Sequence, residues 1–489
     1  MKRILELRSA LVILFAISAG LALATETFAQ IEGPPAPGAP RSVSIPPVKE
    51  SRLSNGLTVA VVERRAVPIV TIQLMVKRGA SSEIDKKAGL ANLTASMLTK
   101  GTKTRNATQI AQEIEFLGGS IGNGAGWNNS NISVTVTSDK LDQAMAILAD
   151  VALNPNFDQK ELDLLKSQTL DGLTYNLKQP GFLGNYVASK YSFGEHPAGG
   201  TPVSLSLIKR EDVIDFHSKY YAPNNSVLIF AGDVAAETAN AETQKYFGAW
   251  RSGKRESTNA GKGIVNAGRE LVNRILVVDL PDSGQASVTY ARGISGIGRG
   301  SKQYTSASVL NSVLGGGYSS RLNQEIRIKR GLSYGAGSSF AWRSNAVNFG
   351  TRTQTKNESA AEVAELVMTE LEKLATGSIA ETELVPRKSV LTGNFGRNLE
   401  TTEGLANAIG DLYSFGLPAS ELNTYITNVN AVRDADIGSF ARANINSGDI
   451  VIVGDYAKFK DDLARRFPKT KIKVIKASEL DLTAGDLTK

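Results

Sequence analysis

The sequence predicts an α+β protein made of two similar halves. Three observations carry that expectation. The strand at 226–232 runs into Phe-Ala-Gly-Asp behind Tyr-Tyr-Ala-Pro-Asn-Asn-Ser, and 449–455 reads Asp-Ile-Val-Ile-Val-Gly-Asp behind Ala-Arg-Ala-Asn-Ile-Asn-Ser-Gly. Asp233 and Asp455 are thereby set 222 residues apart. Two further strand-like segments, 69–78 and the one through Val288, end in the same Arg-Gly, at Arg78-Gly79 and Arg292-Gly293. Between these landmarks, apolar residues recur at helical spacing in both halves, so each copy mixes strands with amphipathic helices.

Taken in order, Lys2, Arg3 and Arg8 precede an apolar run at 11–24 that is short for a spanning helix, and Thr27-Phe28-Ala29 supplies small residues after it. This pattern predicts an export signal at 1–29, cleaved after Ala29, and a periplasmic or extracellular home; an uncleaved anchor is the alternative. Residues 30–48 contain Gly-Pro-Pro-Ala-Pro-Gly-Ala-Pro and Pro46-Pro47, which resist helix and strand and predict an extended tether. The first half, 49–252, opens on a hairpin about Asn55-Gly56. It continues as a strand at 69–78, helices at 86–99 and 107–117, a strand at 132–137, helices at 141–152, 158–177 and 211–220, and the strand at 226–232. A linker at 253–270 leads to the second half, 271–489, with the strand through Val288, helices at 302–314, 358–375 and 379–395, and the strand at 449–455.

Composition removes several chemistries. The 489 residues include no Cys and two His, so disulfides, Cys-ligated zinc, iron–sulfur clusters and Cys nucleophiles are excluded. His196 and His217 cannot make a three-imidazole site within one chain. The net charge of +7 is spread thinly, with no Lys/Arg run dense enough to argue for nucleic acid. Gly331-Leu-Ser-Tyr-Gly335 has the spacing of a serine-hydrolase elbow, but both histidines precede Ser333, which is the wrong chain order for that triad. Hydrogen-bonded structural roles are expected for both histidines.

The stretch Gly89-Leu-Ala-Asn-Leu-Thr-Ala-Ser-Met-Leu-Thr-Lys-Gly-Thr102 resembles the zinc-site helix of pitrilysin-type metallopeptidases, the insulinase and mitochondrial-processing-peptidase family, whose active members carry H-x-x-E-H in a frame like GLAHFLEHMLFKGT. Asp212-Val-Ile-Asp-Phe-His-Ser-Lys-Tyr-Tyr-Ala-Pro-Asn-Asn and Tyr191-Ser-Phe-Gly-Glu-His-Pro are also similar to family passages, and the resemblance extends over 50–470. It implies a pair of α+β rolls, each a mainly antiparallel sheet with packed helices, enclosing a peptide chamber. The departure from the pattern is chemical. Where active members place His, Glu and His, this chain has Asn92, Ala95 and Ser96. Two imidazoles at i and i+4 ligate zinc from one helix face while the Glu activates water. Ala95 can accept no proton, and Asn92 and Ser96 are weak zinc donors. At the place of the third ligand the chain offers Leu170, Asp171 and Gly172. No metal is therefore expected in this chain.

The second half keeps RL-x-x-x-I-R-x-x-x-G-L-x-Y-G, similar to the family's Arg/Tyr motif, with Arg327 and Tyr334 in the motif positions. By that resemblance these two face a zinc site from the opposite half and act on the substrate carbonyl and its oxyanion. The strand near Gly124, Ala125, Gly126 and Trp127 corresponds to the edge on which family members bind extended peptide; a plain bulge is the alternative. The resemblance thus implies a zinc-free subunit that forms a heterodimer with a homologous H-x-x-E-H peptidase, inactive alone. Zinc is expected in the partner, the substrate is a peptide or unfolded protein, and neither nucleic acid nor, after signal cleavage, membrane is expected as a partner. The alternative is a non-enzymatic peptide-binding or assembly protein that retains the fold.

Overall fold

The computed structural model describes residues 45–251 and 274–488. The expected signal at 1–29, the tether as far as residue 44 and the linker at 253–270 lie outside these residues. Two six-stranded mixed sheets organise the rest. The first contains β1 (Lys49–Arg52), β2 (Thr58–Glu63), β3 (Ile69–Val76), β4 (Ser120–Ala125), β5 (Ser130–Thr137) and β6 (Ser226–Gly232), in the order β1-β2-β6-β3-β5-β4. The second contains β7 (Arg274–Asp279), β8 (Ala286–Ser295), β9 (Ala336–Trp342), β10 (Ala346–Thr355), β11 (Asp449–Gly454) and β12 (Ile472–Lys476), in the order β12-β7-β11-β8-β10-β9. In each sheet the repeated strand, β6 or β11, pairs parallel to one neighbour and antiparallel to the other, and the remaining pairs are antiparallel except β7 with β12.

β6 and β11 are buried at every position. Such runs need cover on both faces of the sheet, and the cover is reciprocal. Each half lays its own helices on one face of its sheet. On the other face lies a helix from the opposite half: Pro180–Tyr191 packs on β8, β10 and β11, and Thr402–Ser414 packs on β3 and β6. Leu183, Val187 and Ala188 of the first of these share a buried cluster with Leu276, Val278, Val451 and Val453 of the second sheet. In return, the Gln73 amide of β3 donates to Asn407 at 2.8 Å and Thr71 shares a 2.8 Å hydrogen bond with Thr402. Asn185 and Asn407, and likewise Tyr191 and Tyr413, stand 222 residues apart, the spacing of Asp233 and Asp455. The exchanged helices are therefore equivalent parts of the repeat.

Most expected elements are present, and the differences have local causes. The helix expected at 86–99 is confined to Leu90–Met97 because Gly89 adopts φ +95°, with Leu205 and Gly200 within 2.9 and 3.1 Å of where a Cβ would sit. The hairpin about Asn55-Gly56 exists, but its first strand is the polar edge β1 rather than a segment beginning at Leu53. The helix expected at 379–395 runs over Glu381–Glu400 through Pro386. No helix among the described residues is long and apolar enough to cross a membrane.

Local signals also fix individual helix ends. Asn106 caps Ala107–Phe116 in a capping box with Gln109, each side chain accepting from the other residue's backbone N–H at 2.9 Å. Asn106→Ala removes an acceptor that the first turn cannot replace. It is expected to lower stability by about 1 kcal/mol, read as a fall in the urea midpoint with an unchanged slope.

Candidate functional site

The Leu90–Met97 helix lies against β4 and the Arg210–Tyr220 and Gln159–Asn176 helices. Ala91, Leu93, Thr94, Ala95 and Met97 are buried, while Asn92 and Ser96, one turn apart, are partly exposed on the same face. Neither of these two side chains is engaged in a hydrogen bond among the described residues. The donors available here are one amide, one hydroxyl and, at Ala95, a methyl group, while Asp171 on the neighbouring helix is exposed. This set does not fit zinc, which takes imidazole, thiolate or carboxylate. Among the described residues no group of three His, Cys, Asp or Glu is gathered closely enough to hold a metal ion.

What holds this helix in place is an ionisable network that the sequence did not reveal. The Glu83 carboxylate, fully buried, accepts from the backbone N–H of Gly89 at 3.0 Å and from that of Ala91, at the helix N-terminus. His196 Nε2 lies 3.1 Å from Oε2, the oxygen that also accepts from Gly89, and the imidazole packs 5.0 Å from the Trp127 ring. Burial pushes the Glu83 carboxyl upward, against the pull of His196 and the helix N–H groups. Next to His196, Glu195 receives both arms of Arg343, Nε at 2.8 Å and Nη2 at 2.7 Å, and the guanidinium lies 4.9 Å from the Trp127 ring. Arg343 follows β9, so this pair joins the second half to the first. Asn128 adds a 3.2 Å hydrogen bond to the Trp342 carbonyl.

The second histidine is equally committed. His217 Nε2 sits 2.9 Å from the Ala152 carbonyl, with the ring stacked on Tyr221 at 4.6 Å. Burial lowers its pKa from 6.5 to about 4. Because the folded value is depressed, the unfolded chain binds the extra proton. The stability contributed by neutral His217 is complete above pH 6.5 and is lost as pH falls toward 4. Urea unfolding followed across this window is expected to show declining stability, and His217→Gln to flatten that decline.

β4 is the edge of the first sheet, and its one partner is β5: Gly124 faces Asn131 and Ala125 faces Ser130. Its other main-chain edge is unpaired among the described residues. Gly126 and Trp127 lie past the strand. Their carbonyls accept from Ala80 and Ser81 at 2.9 Å and the Gly126 N–H donates to Asn129 at 2.8 Å, so this stretch closes a turn. Asn123 of β4 donates to Thr99, tying the edge to the chain just after the Leu90–Met97 helix.

In the second half, Arg327 lies in a π-helical turn, Asn323–Ile328, and Tyr334 in the bend before β9. Widened i→i+5 turns are uncommon and concentrate at functional sites. On either side of this turn, Arg321 is bound bidentately to Glu383 at 2.8 and 2.7 Å, and Arg330 to Glu325 at 2.6 Å. Arg327 has no carboxylate partner among the described residues; its guanidinium rests 4.9 Å from the Tyr318 ring. Tyr334 is 90% exposed. Ser333 spends its hydroxyl on Gly335, donating to the carbonyl at 2.7 Å and accepting from the N–H at 3.0 Å, and this local turn aims the neighbouring phenol outward. Tyr334 borders a cavity of about 300 Å³ whose walls come from the Pro180–Tyr191 helix and the second sheet.

Comparison with known proteins identifies the family and the fold. Residues 58–178 match the model for insulinase, peptidase family M16, and residues 208–391 match the model for the peptidase M16 inactive domain. An uncharacterised zinc protease of Rickettsia felis is 28% identical over 390 residues, covering 78% of this chain and 92% of its own length. One from Bacillus subtilis is 25% identical over 402 residues, covering 81% and 95%. The crystal structure of a peptidase M16 inactive domain from Pseudomonas fluorescens superposes with a TM-score of 0.75 at 27% identity, over 83% of this chain and 98% of that one. A protease from Helicobacter pylori shares the fold, with a TM-score of 0.78 at 20% identity, over 84% of this chain and all of that one. Two matched family models spanning well over half of the sequence, and two mixed sheets in the matching fold, make this chain a member of the insulinase (M16) peptidase family.

Proposed function

We propose that this chain is an exported, zinc-free subunit of a two-chain M16 peptidase, and that it supplies Arg327 and Tyr334 to the active site of a homologous partner that carries H-x-x-E-H and the zinc. The observation that carries this reading is the contrast between the two halves. The first has an amide, a methyl and a hydroxyl where the family's catalytic groups belong. The second has kept its Arg/Tyr pair unspent, with Arg321 and Arg330 ion-paired around it. A pure scaffold has no use for an exposed phenol at Tyr334 and a guanidinium at Arg327 with no carboxylate partner among the described residues.

The chemistry this chain contributes is donor chemistry. Arg327 offers a rigid fork of N–H groups and Tyr334 one O–H, both suited to a carbonyl oxygen that gains negative charge when water attacks. The Tyr318 ring, 4.9 Å from the guanidinium, gives it a cation–π contact. The metal in the partner supplies a bound water of lowered pKa. The free edge of β4 fits an extended peptide added as a further strand.

The test is reconstitution. Purified alone, the chain is expected neither to retain stoichiometric zinc nor to cleave peptides. Mixed with an exported H-x-x-E-H homologue from the same genome, it is expected to co-elute and to confer peptide cleavage that neither chain has alone. Zinc-dependent cleavage by the single chain would overturn the reading.

A further inference from the structure

The cavity beside Tyr334 has a character that the Arg/Tyr motif does not explain. Besides Tyr334, Ser333 and Thr353, five polar residues line it: Asn185 from the exchanged helix, Gln285 just before β8, Ser287 of β8, and Arg352 and Gln354 from β10. None of the five uses its side-chain polar atoms in a hydrogen bond or ion pair among the described residues. Arg352 is the one charged residue in the lining, and no carboxylate is present. Arg105, Arg274, Arg321, Arg343 and Arg466 reach carboxylates, and Arg64, Arg210, Arg387 and Arg442 donate to backbone carbonyls; among the described residues Arg352 does neither.

The walls are set by packing. Alternation along β10 places Thr351, Thr353 and Thr355 in the buried face and sends Arg352 and Gln354 to the opposite face, where the exchanged helix lies. That helix comes close because it carries glycine at the contacts. A Cβ on Gly181 would stand 2.1 Å from Gln354 Nε2, and one on Gly184 would stand 3.0 Å from Ser287 Oγ. Directly across the ladder from Arg352 is Gly337 of β9, so no neighbouring side chain fills the space on that flank. The result is a small recess lined by one guanidinium, three amides and a hydroxyl, of which Asn185, Gln285, Arg352 and Gln354 are open to solvent.

We propose that this recess binds a carboxylate of the peptide held in the chamber, with Arg352 as the specificity-determining residue and the surrounding amides and hydroxyl as auxiliary donors. The inference rests on the reading of Tyr334 as a substrate-facing residue. A guanidinium fork matches a carboxylate in two parallel hydrogen bonds. The recess also selects by exclusion: a peptide covering Arg352 with an apolar or amide group strips water from the cation and returns no charge. The carboxylate can come from an Asp or Glu side chain or from the peptide's own C-terminus.

Because every lining group belongs to this chain, the test uses the full chain without a partner. The probes are fluorescein-labelled nonapeptide libraries in which each position in turn is fixed as Glu or Gln, made both as C-terminal amides and as free acids, with binding followed by fluorescence anisotropy. At one position Glu is expected to bind about tenfold more tightly than Gln. A C-terminal source would instead appear as the same preference for free acid over amide. Arg352→Gln is expected to abolish the preference, so that Glu-fixed and Gln-fixed libraries bind alike, and Arg352→Glu to reverse it, so that Glu binds more weakly than Gln. Equal binding of Glu, Gln, acid and amide libraries, or a preference that survives Arg352→Gln, overturns the carboxylate site and leaves peptide binding standing. Failure of every library to bind overturns the substrate-facing reading of this surface together with the inference built on it.

Discussion

Tyr334→Phe in the reconstituted pair is expected to lower kcat about 10²-fold, and Arg327→Ala about 10²–10³-fold, with much smaller changes in KM, as found for donors aimed at an oxyanion. The reasoning starts from where each side chain is spent. Tyr334 is 90% exposed and makes no hydrogen bond among the described residues, so its hydroxyl stabilises nothing in the resting fold. Phe in its place should leave the unfolding midpoint unchanged. Arg327 stacks on Tyr318 and has no carboxylate among the described residues, so removing it strands no buried anion. Losses in kcat without losses in stability would therefore report the transition state alone. Arg327→Lys keeps the charge but replaces a planar fork by a point charge, and is expected to recover only a small part of the rate. Arg330→Ala breaks an ion pair with Glu325 on the same π-helical turn and serves as the control. If Arg327→Ala and Tyr334→Phe both retain full kcat in the reconstituted pair, the assignment of these residues to the partner's site fails.

The parts of this fold that could be read from the sequence are those whose physics is local. β6 and β11 announce themselves as apolar runs with a common ending, and the helices at 107–117, 141–152 and 358–375 by their period. The exchange of Pro180–Tyr191 and Thr402–Ser414 could not be read this way. An apolar stripe says that a helix must be covered and does not say by which sheet. The first of these helices also carries Pro180, Gly181 and Gly184, which lower helix propensity and are needed for its N-terminal turn and for close approach to Gln354 and Ser287. The same distinction divides the candidate site. The loss of zinc chemistry at Asn92, Ala95 and Ser96 lies within five residues of sequence. The network that holds their helix joins Glu83, Trp127, His196 and Arg343, and each link spans dozens of residues or more. Gly124 through Trp127 resemble one continuous strand in sequence, yet the strand ends at Ala125, because the carbonyls of Gly126 and Trp127 turn to meet Ala80 and Ser81.

Arg343→Ala is expected to lower stability by about 3–5 kcal/mol, the range for removing one partner of a buried ion pair. Glu195 is 5% exposed and both of its oxygens are taken by Arg343, at 2.8 and 2.7 Å. Without the guanidinium the carboxylate must stay charged in a dry site, bind a proton, or drag the 194–200 segment into water. The last outcome would also move His196, and with it one of the supports of Glu83 at the N-terminus of the Leu90–Met97 helix. The damage should therefore reach the degenerate site. The ring of Trp127, one of the three tryptophans, lies 4.9 Å from the Arg343 guanidinium, so intrinsic fluorescence reports on the pair. Charge alone does not decide the outcome. Replacing both partners with apolar residues of similar volume, Arg343→Met with Glu195→Leu, removes the stranded carboxylate and is expected to restore most of the loss, because buried ion pairs rarely outperform well-packed apolar groups. The double-mutant cycle built from these substitutions then gives a coupling of about 2–3 kcal/mol, at the high end for contacting residues. A coupling near zero would mean that Arg343 and Glu195 are solvated in solution. The exchanged helices and the hydrogen bonds Asn128–Trp342 and Arg64–Leu399 would then carry the contact between the halves.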